Sequence, residues 1–350
     1  METWKKILRK SITAPDQLGP KIAGDTGPLA AVTKIFPMRI NPYFYGLIET
    51  RKDPIARQCI PDTLELEDRV CTPDPLAEEQ LSPVPNLVHK YPNRVLLLVC
   101  NQCAVYCRFC TRKRKVGKSQ FKTGPNRLAQ AYDYIRKHPE VSDVLVSGGD
   151  PLLLEDNQID EILYNLRSIP SVKIIRIGTR IPSTLPMRVT EGLVDILKRH
   201  HPLFINTHFN HPKEITPEAE RACALLANAG IPLGSQTVLL KGINDDLAVL
   251  KELMQKLLFM RVKPYYLFQS DTTYGVDHFR TKTKTGIELM RGLYGHLSGM
   301  AIPTLALDAP GGMGKIPLTP QFITESTDSS LCFNNYLGKK CSYPEPVDPG

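Results

Sequence analysis

No stretch of this sequence approaches the apolar length of a membrane span. The opening residues, Met1-Glu2-Thr3-Trp4-Lys5-Lys6-Ile7, lack the apolar core of a secretory signal. These absences predict a soluble, cytoplasmic protein with no membrane partner. In a reducing compartment the nine cysteines do not read as a disulfide framework. There is one tryptophan, Trp4, no internal repeat and no low-complexity tract. The net charge of +8 makes nucleic acid a candidate partner. However, no stacking aromatic series surrounds the densest basic run, Arg112-Lys113-Arg114-Lys115. That run reads as a solvated or anion-facing loop, and no nucleic acid is expected.

What is present is ordinary globular composition, 42% hydrophobic and 23% charged over 350 residues, enough for one large α/β domain and an extension. Residues 1–88 read as helices and Pro-rich loops, a mostly helical accessory region. Ser11-Ile12-Thr13 before Asp16-Gln17 predicts a helix start. From residue 94, apolar runs of strand length recur at 94–99, 143–147, 172–177, 203–207, 232–238, 263–268 and 302–307. Helix-like segments lie between them, at about 126–138, 156–168, 190–200, 217–229, 246–260 and 283–298. Strand–helix alternation predicts a parallel sheet, closed, partly closed or open. The run Val95-Leu96-Leu97-Leu98-Val99 suits burial on both faces. The core is expected over 89–308. Residues 309–350 lack periodicity and read as a functional loop and tail.

Parallel α/β folds place their sites at the carboxyl ends of strands. Here each such end carries chemistry. Cys103, Cys107 and Cys110 follow the first run, and Ser147-Gly148-Gly149-Asp150-Pro151 the second. Gly178-Thr179-Arg180 and Asn206-Thr207-His208 follow the next two, and Gln236 lies within the fifth. Asp271 follows the sixth, and Asp308 with Gly311-Gly312-Met313-Gly314-Lys315 the last. Three thiolates in the spacing Cys-x3-Cys-x2-Cys leave one iron of a [4Fe-4S] cube without a protein ligand, open to a small molecule. A zinc knob would want a fourth ligand at regular spacing, and Cys100 is better placed as core. Lys315, on spacing alone, reads as a surface lysine on a Gly-rich loop.

The cysteine loop with Arg108, Thr111 and Arg112 resembles that of the radical S-adenosylmethionine (SAM) enzymes, specifically the lysine 2,3-aminomutase family. The resemblance runs from about Asn41 to about Pro320. It includes His89-Lys90-Tyr91-Pro92, Ser147-Gly148-Gly149-Asp150, Asn206-Thr207-His208-Phe209-Asn210-His211 and Asp308-Ala309-Pro310-Gly311-Gly312. It implies an α/β fold, a partial (β/α)6-type radical SAM barrel. It also implies a [4Fe-4S] cluster on Cys103, Cys107 and Cys110, SAM cleaved to an adenosyl radical, and pyridoxal 5′-phosphate on Lys315.

By the same resemblance, Ser147, Gly148, Gly149 and Asp150 bind the aminoacyl part of SAM, with His208 and Gln236 near it. Lys90, Tyr91 and Arg94 match positions for the pyridoxal phosphate group, and Arg112 the reader of the substrate carboxylate. Asp271 and Asp308 match the pair that reads a lysine side chain, and burying an ammonium needs such charge. The implied activity converts L-lysine to L-β-lysine, with an electron donor such as flavodoxin or ferredoxin and assembly as a homo-oligomer. Three alternatives remain: an arginine 2,3-aminomutase, a β-lysine-forming enzyme serving elongation factor P, and a non-catalytic iron–sulfur or zinc protein. Longer family members bind zinc through C-terminal cysteines. Here the turn Asn244-Asp245-Asp246-Leu247 holds no cysteine and the tail only Cys332 and Cys341, so no such zinc is expected.

Overall fold

The computed structural model describes residues 2–19, 22, 26–121 and 123–346. One sheet holds nine strands in chain order: β1 (Leu87–Tyr91), β2 (Arg94–Cys100), β3 (Asp143–Gly148), β4 (Ile174–Gly178), β5 (Leu203–Thr207), β6 (Leu233–Leu239), β7 (Val262–Gln269), β8 (Thr304–Ala309) and β9 (Gly314–Pro317). Strands β2 to β8 run parallel, and β1 and β9 flank them antiparallel. Among the described residues, six helices of eight residues or more cross between the parallel strands: α1 (Pro125–Lys137), α2 (Asp156–Arg167), α3 (Glu191–Lys198), α4 (Pro217–Asn228), α5 (Leu247–Phe259) and α6 (Thr283–Leu293). This is the expected partial (β/α)6 barrel. Each expected strand is present, with ends within two residues of the apolar runs.

Strand period two sorts the side chains. Val95, Leu97 and Val99 join Ala131 and Ile135 of α1 and Ile159 and Leu163 of α2 in one core. Each such buried side chain contributes roughly 1.5–3 kcal/mol. The inner face of β2 is buried at Leu98 as expected but only half-buried at Leu96. Arg94 and Leu96 on β2, and Gly234, Gln236 and Val238 on β6, line a central hollow. Asp246 caps α5 by accepting from the amides of Ala248 and Val249, and Thr216 caps α4 through Ala219.

The longer elements described before β1 are helices, at Thr3–Arg9, Gly27–Ile35, Pro42–Gly46 and Pro54–Cys59, with loops between them. The helix expected to start at Ser11 is absent. Ile12 pairs instead with Ile40, and Gln17 Oε1 accepts from the amides of Thr13 and Ala14, so a single turn follows. Residues 309–350 also differ from a plain loop and tail. Strand β9 forms a hairpin with β8, and β10 (Ile323–Ser326), β11 (Ser330–Asn334) and β12 (Lys340–Pro344) make a separate antiparallel sheet. No residue of those three strands is fully buried, so no apolar alternation marked them. Among the described residues no helix is long and apolar enough to cross a membrane.

Candidate active site

The cysteine loop is held from two sides. On the barrel side, the amide of Gly149 donates to Cys100 O at 2.6 Å and that of Asp150 to Gln102 O at 2.7 Å. A Cβ on Gly148 would stand 2.2 Å from Cys100 O, and one on Gly149 2.3 Å from Gln102 O. Both glycines admit the backbone of the cysteine loop this closely and also line the central hollow. Asp150 likewise binds protein. Its carboxylate accepts from Thr179 Oγ1 at 2.6 Å and from the amides of Arg180 and Leu152 at 2.7 and 3.1 Å. Burial nonetheless raises its pKa above the ordinary value. Gly149→Ala is expected to force loop and turn apart, at roughly 1–3 kcal/mol for overpacking. A lower Tm of the iron-free protein, with weaker iron retention, checks this.

On the other side, the N-terminal segment grips the loop. Ile40 pairs with Val105, the Tyr106 amide donates to Arg39 O and the Arg108 amide to Gln58 O. Val105 belongs to the same apolar cluster as Leu29, Phe44 and Ile55. The Arg108 guanidinium, 1% exposed, donates to Glu65 and to Pro37 O. Lys113 reaches Glu65 at 2.6 Å. Burial pushes Glu65 up, but these two cations hold it net below its ordinary pKa. Burial lowers Lys113 to about 8.

Of the two readings of the basic run, solvated or anion-facing, the structure shows the second. Arg112 pairs with Glu78 at 2.7 Å, Arg114 with Asp74 at 2.8 Å and Lys115 with Glu79 at 2.8 Å. Among the described residues, Asp74, Glu78 and Glu79 are the one acidic or thiol trio whose ligand atoms lie within 4.8 Å of one another. Their cationic neighbours already answer that charge.

Cys103, Cys107 and Cys110 all line the central hollow, while buried Cys100 does not. Three soft thiol side chains of one loop thus face one hollow, and a cube takes three such ligands on three of its irons. The donor set fits the cube. Burial, with the charge of Cys107, pushes Cys110 up to about 11, so iron must displace protons to bind there.

The three cysteines, the Ser147 to Asp150 turn, Lys90, Tyr91, Arg94, Arg112, His208, Gln236, Asp271, Asp308 and Lys315 all meet one cavity of about 920 Å³. Lys315 stands on β9 opposite Asp308 on β8, and its Nζ donates to both Asp308 oxygens at 3.0 and 2.9 Å. Its backbone N–H donates to Tyr91 Oη at 3.0 Å. The hairpin turn needs positive φ at Gly311 (72°) and Gly312 (75°). Met313 keeps an ordinary φ of −74° and points to solvent, so it leaves the lysine in register.

Lys90 lies 3.6 Å from Asp308, and the Arg94 guanidinium sits 3.8 Å over the Tyr91 ring. Lys263 also lines the cavity and donates to the carbonyls of Pro264 and Ile302. Among the described residues neither Arg94 nor Lys263 has a carboxylate partner. Unanswered cations beside a tethered amine fit a phosphorylated aldehyde such as pyridoxal phosphate.

Asp271 accepts from Thr111 Oγ1 at 2.6 Å. Burial raises its pKa to about 6 against that hydrogen bond, and Asp308 adds to the rise. His208 meets Asn210 at 2.9 Å; burial and Arg180 lower it to about 3, so its imidazole is neutral.

Several cavity residues went unassigned from sequence. Glu78 orients Arg112, whose buried Nε has no partner, and Arg180 has an unpartnered Nε beside the cysteines. Asn206 leaves its Nδ2 buried and unpartnered at the same wall. Such orphaned donors lining a hollow suit a polar ligand, and SAM, with its carboxylate, is one. Only strand-end position pointed to Arg180 and Asn206; nothing local marked Glu78.

Comparison with known proteins agrees with this geometry. The radical SAM superfamily matches residues 97–254, and the family described as Lysine-2,3-aminomutase matches residues 290–349. The L-lysine 2,3-aminomutase of Clostridium subterminale is 46% identical over 99% of this chain and 84% of its own. That of Bacillus subtilis is 43% identical, over 99% of this chain and 72% of its own. The glutamate 2,3-aminomutase of Clostridioides difficile is 45% identical, over 87% of this chain and 72% of its own. With cysteine loop and lysine hairpin facing one hollow, and with relatives matching across nearly its whole length, the chain belongs to the lysine 2,3-aminomutase family of radical SAM isomerases, whose chemistry uses a [4Fe-4S] cluster and SAM.

Proposed function

We propose that this enzyme is a pyridoxal phosphate-dependent 2,3-aminomutase for a cationic amino acid, L-lysine ahead of L-arginine. Overall identity does not choose the substrate, since lysine- and glutamate-named relatives are about equally similar. The supporting observation is the acid pair Asp271 and Asp308 inside the cavity that the cysteines and Lys315 also line. An anionic side chain would meet repulsion there, and a cationic one finds compensation. Asp308 already receives a primary ammonium, that of Lys315, on both oxygens. That end-on arrangement suits lysine better than the planar fork of arginine.

When bound, the cluster with SAM supplies reversible hydrogen abstraction, and pyridoxal phosphate a conjugated carrier for the migrating nitrogen. The protein's part is orientation. Cys103, Cys107 and Cys110 would hold the cluster. Lys315 would anchor the aldehyde, with Arg94, Lys263 and Tyr91 at the phosphate. Arg112, braced by Glu78, presents its unpartnered Nε edge to the substrate carboxylate. Asp308, once Lys315 releases it, accepts the distal ammonium together with Asp271. Phe109, Leu96, Leu145 and Phe204 give the walls an apolar surface that keeps water off the reacting atoms.

The test is anaerobic, reconstituted enzyme with SAM, pyridoxal phosphate and dithionite, given L-lysine, L-arginine or L-glutamate separately. Chromatography should show a β-isomer from lysine first. Turnover of glutamate with none of lysine would refute the charge argument, and no β-isomer at all would refute the activity.

The raised pKa of Asp271 makes a further expectation. Substrate ammonium needs the carboxylate form, so KM for lysine should rise as pH falls through about 6. Asp271→Asn should raise KM at pH 8 about 10- to 100-fold, the loss of one charged hydrogen bond of about 1.5–3 kcal/mol, and should flatten that pH dependence. The sign for stability is opposite. A carboxylate whose pKa rises on folding disfavours the folded state above that pKa, so the asparagine variant should melt higher at pH 8.

A further inference from the structure

We infer that Arg180 sets the reduction potential of the cluster through the sulfur of Cys107, an inference that rests on Cys107 being a cluster ligand. Arg180 Nη1 donates to Cys107 Sγ at 2.8 Å. The residue is 8% exposed and both terminal nitrogens of its guanidinium are engaged, Nε alone being without a partner. Nη2 donates to Glu214 Oε2 at 3.0 Å and to Gln58 Oε1. The guanidinium carbon lies 5.3 Å from the Phe109 ring centroid and 5.4 Å from that of Phe44. Its backbone N–H is taken by Asp150 at 2.7 Å.

Glu214, the counter-ion, is itself saturated. It accepts from Ser183 Oγ at 2.6 Å, from Gln58 Nε2 at 3.0 Å and from the amides of Asn210 and His211 at 3.0 and 3.1 Å. A carboxylate so occupied cannot swing toward Cys107, so the cation and not the anion faces the sulfur. Thr179-Arg180 at the end of β4 and Glu214 after β5 thus form a built charge pair with its positive end on one cluster ligand.

Hydrogen bonds to ligand sulfurs and nearby net charge tune iron–sulfur potentials. Reduction adds one electron to the cluster from a one-electron reductant such as dithionite. The cluster becomes one unit more negative. No bond to Arg180 forms or breaks, and its protons stay on the guanidinium. A fixed cation at hydrogen-bond distance, in an interior of low dielectric, favours that more negative form. Arg180 therefore raises the potential and Glu214 lowers it.

The experiment is a redox titration of the anaerobically reconstituted enzyme, followed by the electron paramagnetic resonance signal of the reduced cluster, without SAM or amino acid. Arg180→Gln should lower the midpoint relative to wild type, and Glu214→Gln should raise it, at equal iron and sulfide content. If one variant fails to take up iron, the other decides. A midpoint unchanged from wild type, or shifted the opposite way, in either loaded variant would overturn the inference. If wild type itself binds no iron–sulfur cluster, the underlying cluster reading fails first, and that result is distinct.

Discussion

Lys315→Ala is expected to leave a folded protein that no longer fixes pyridoxal phosphate. Wild type treated with the cofactor and borohydride should carry a stable adduct on the peptide containing Lys315, and the variant none. Turnover should fall by at least about 10³-fold, because a tethered amine acts at an effective molarity on the order of 10⁵ M or more. The fold should survive. Lys315 sits near an edge of the sheet with a third of its side chain exposed, and Asp308 keeps Lys90 as a counter-ion at 3.6 Å. Retention of the adduct at another lysine, with full activity, would remove Lys315 from the proposed chemistry.

Cys110→Ser is expected to cost the cluster itself. Wild type reconstituted with iron and sulfide should hold about four irons per chain, the content of one cube. The variant should hold far fewer and lose the broad visible absorbance. Serine keeps the size of the side chain but supplies no thiolate, and thiolate is the soft ligand iron–sulfur clusters select. The apo variant should melt close to apo wild type. Full iron content in Cys110→Ser would mean that another residue completes the ligand set, and Cys100 would be examined first. With Cys100 buried behind the loop and its thiol raised to about 12 by burial, that substitution is not expected.

Much of the barrel was legible because burial writes itself into period. Val95, Leu97 and Val99 face the helices, and the helices answer with Ala131, Ile135, Ile159 and Leu163. The three thiols and Lys315 were legible because rare side chains at strand ends need a purpose. Sequence was silent or misled wherever pairing is remote. The anions that Arg112 to Lys115 face, Asp74, Glu78 and Glu79, come from more than thirty residues away and could not be named. The packing of Gly148 and Gly149 on Cys100 and Gln102 joins two strand ends that no local pattern connects. Strands β10 to β12 carry no periodicity because none of their residues is fully buried. The helix expected at Ser11 lost to the Ile12–Ile40 pairing, a contact that local propensity cannot see.

The grip of Arg39, Ile40, Gln58 and Glu65 on the cysteine loop has a consequence for how the enzyme is made. Those residues leave the ribosome before the loop they hold, so the iron cradle has its outer wall waiting when Cys103 emerges. The barrel side of that cradle, Gly149 and Arg180, follows within some eighty residues. Lys315 is translated far later. The two halves of the catalytic chamber therefore mature at opposite ends of synthesis, and shortening the chain from its front should forfeit iron before it forfeits the hairpin that carries the amine.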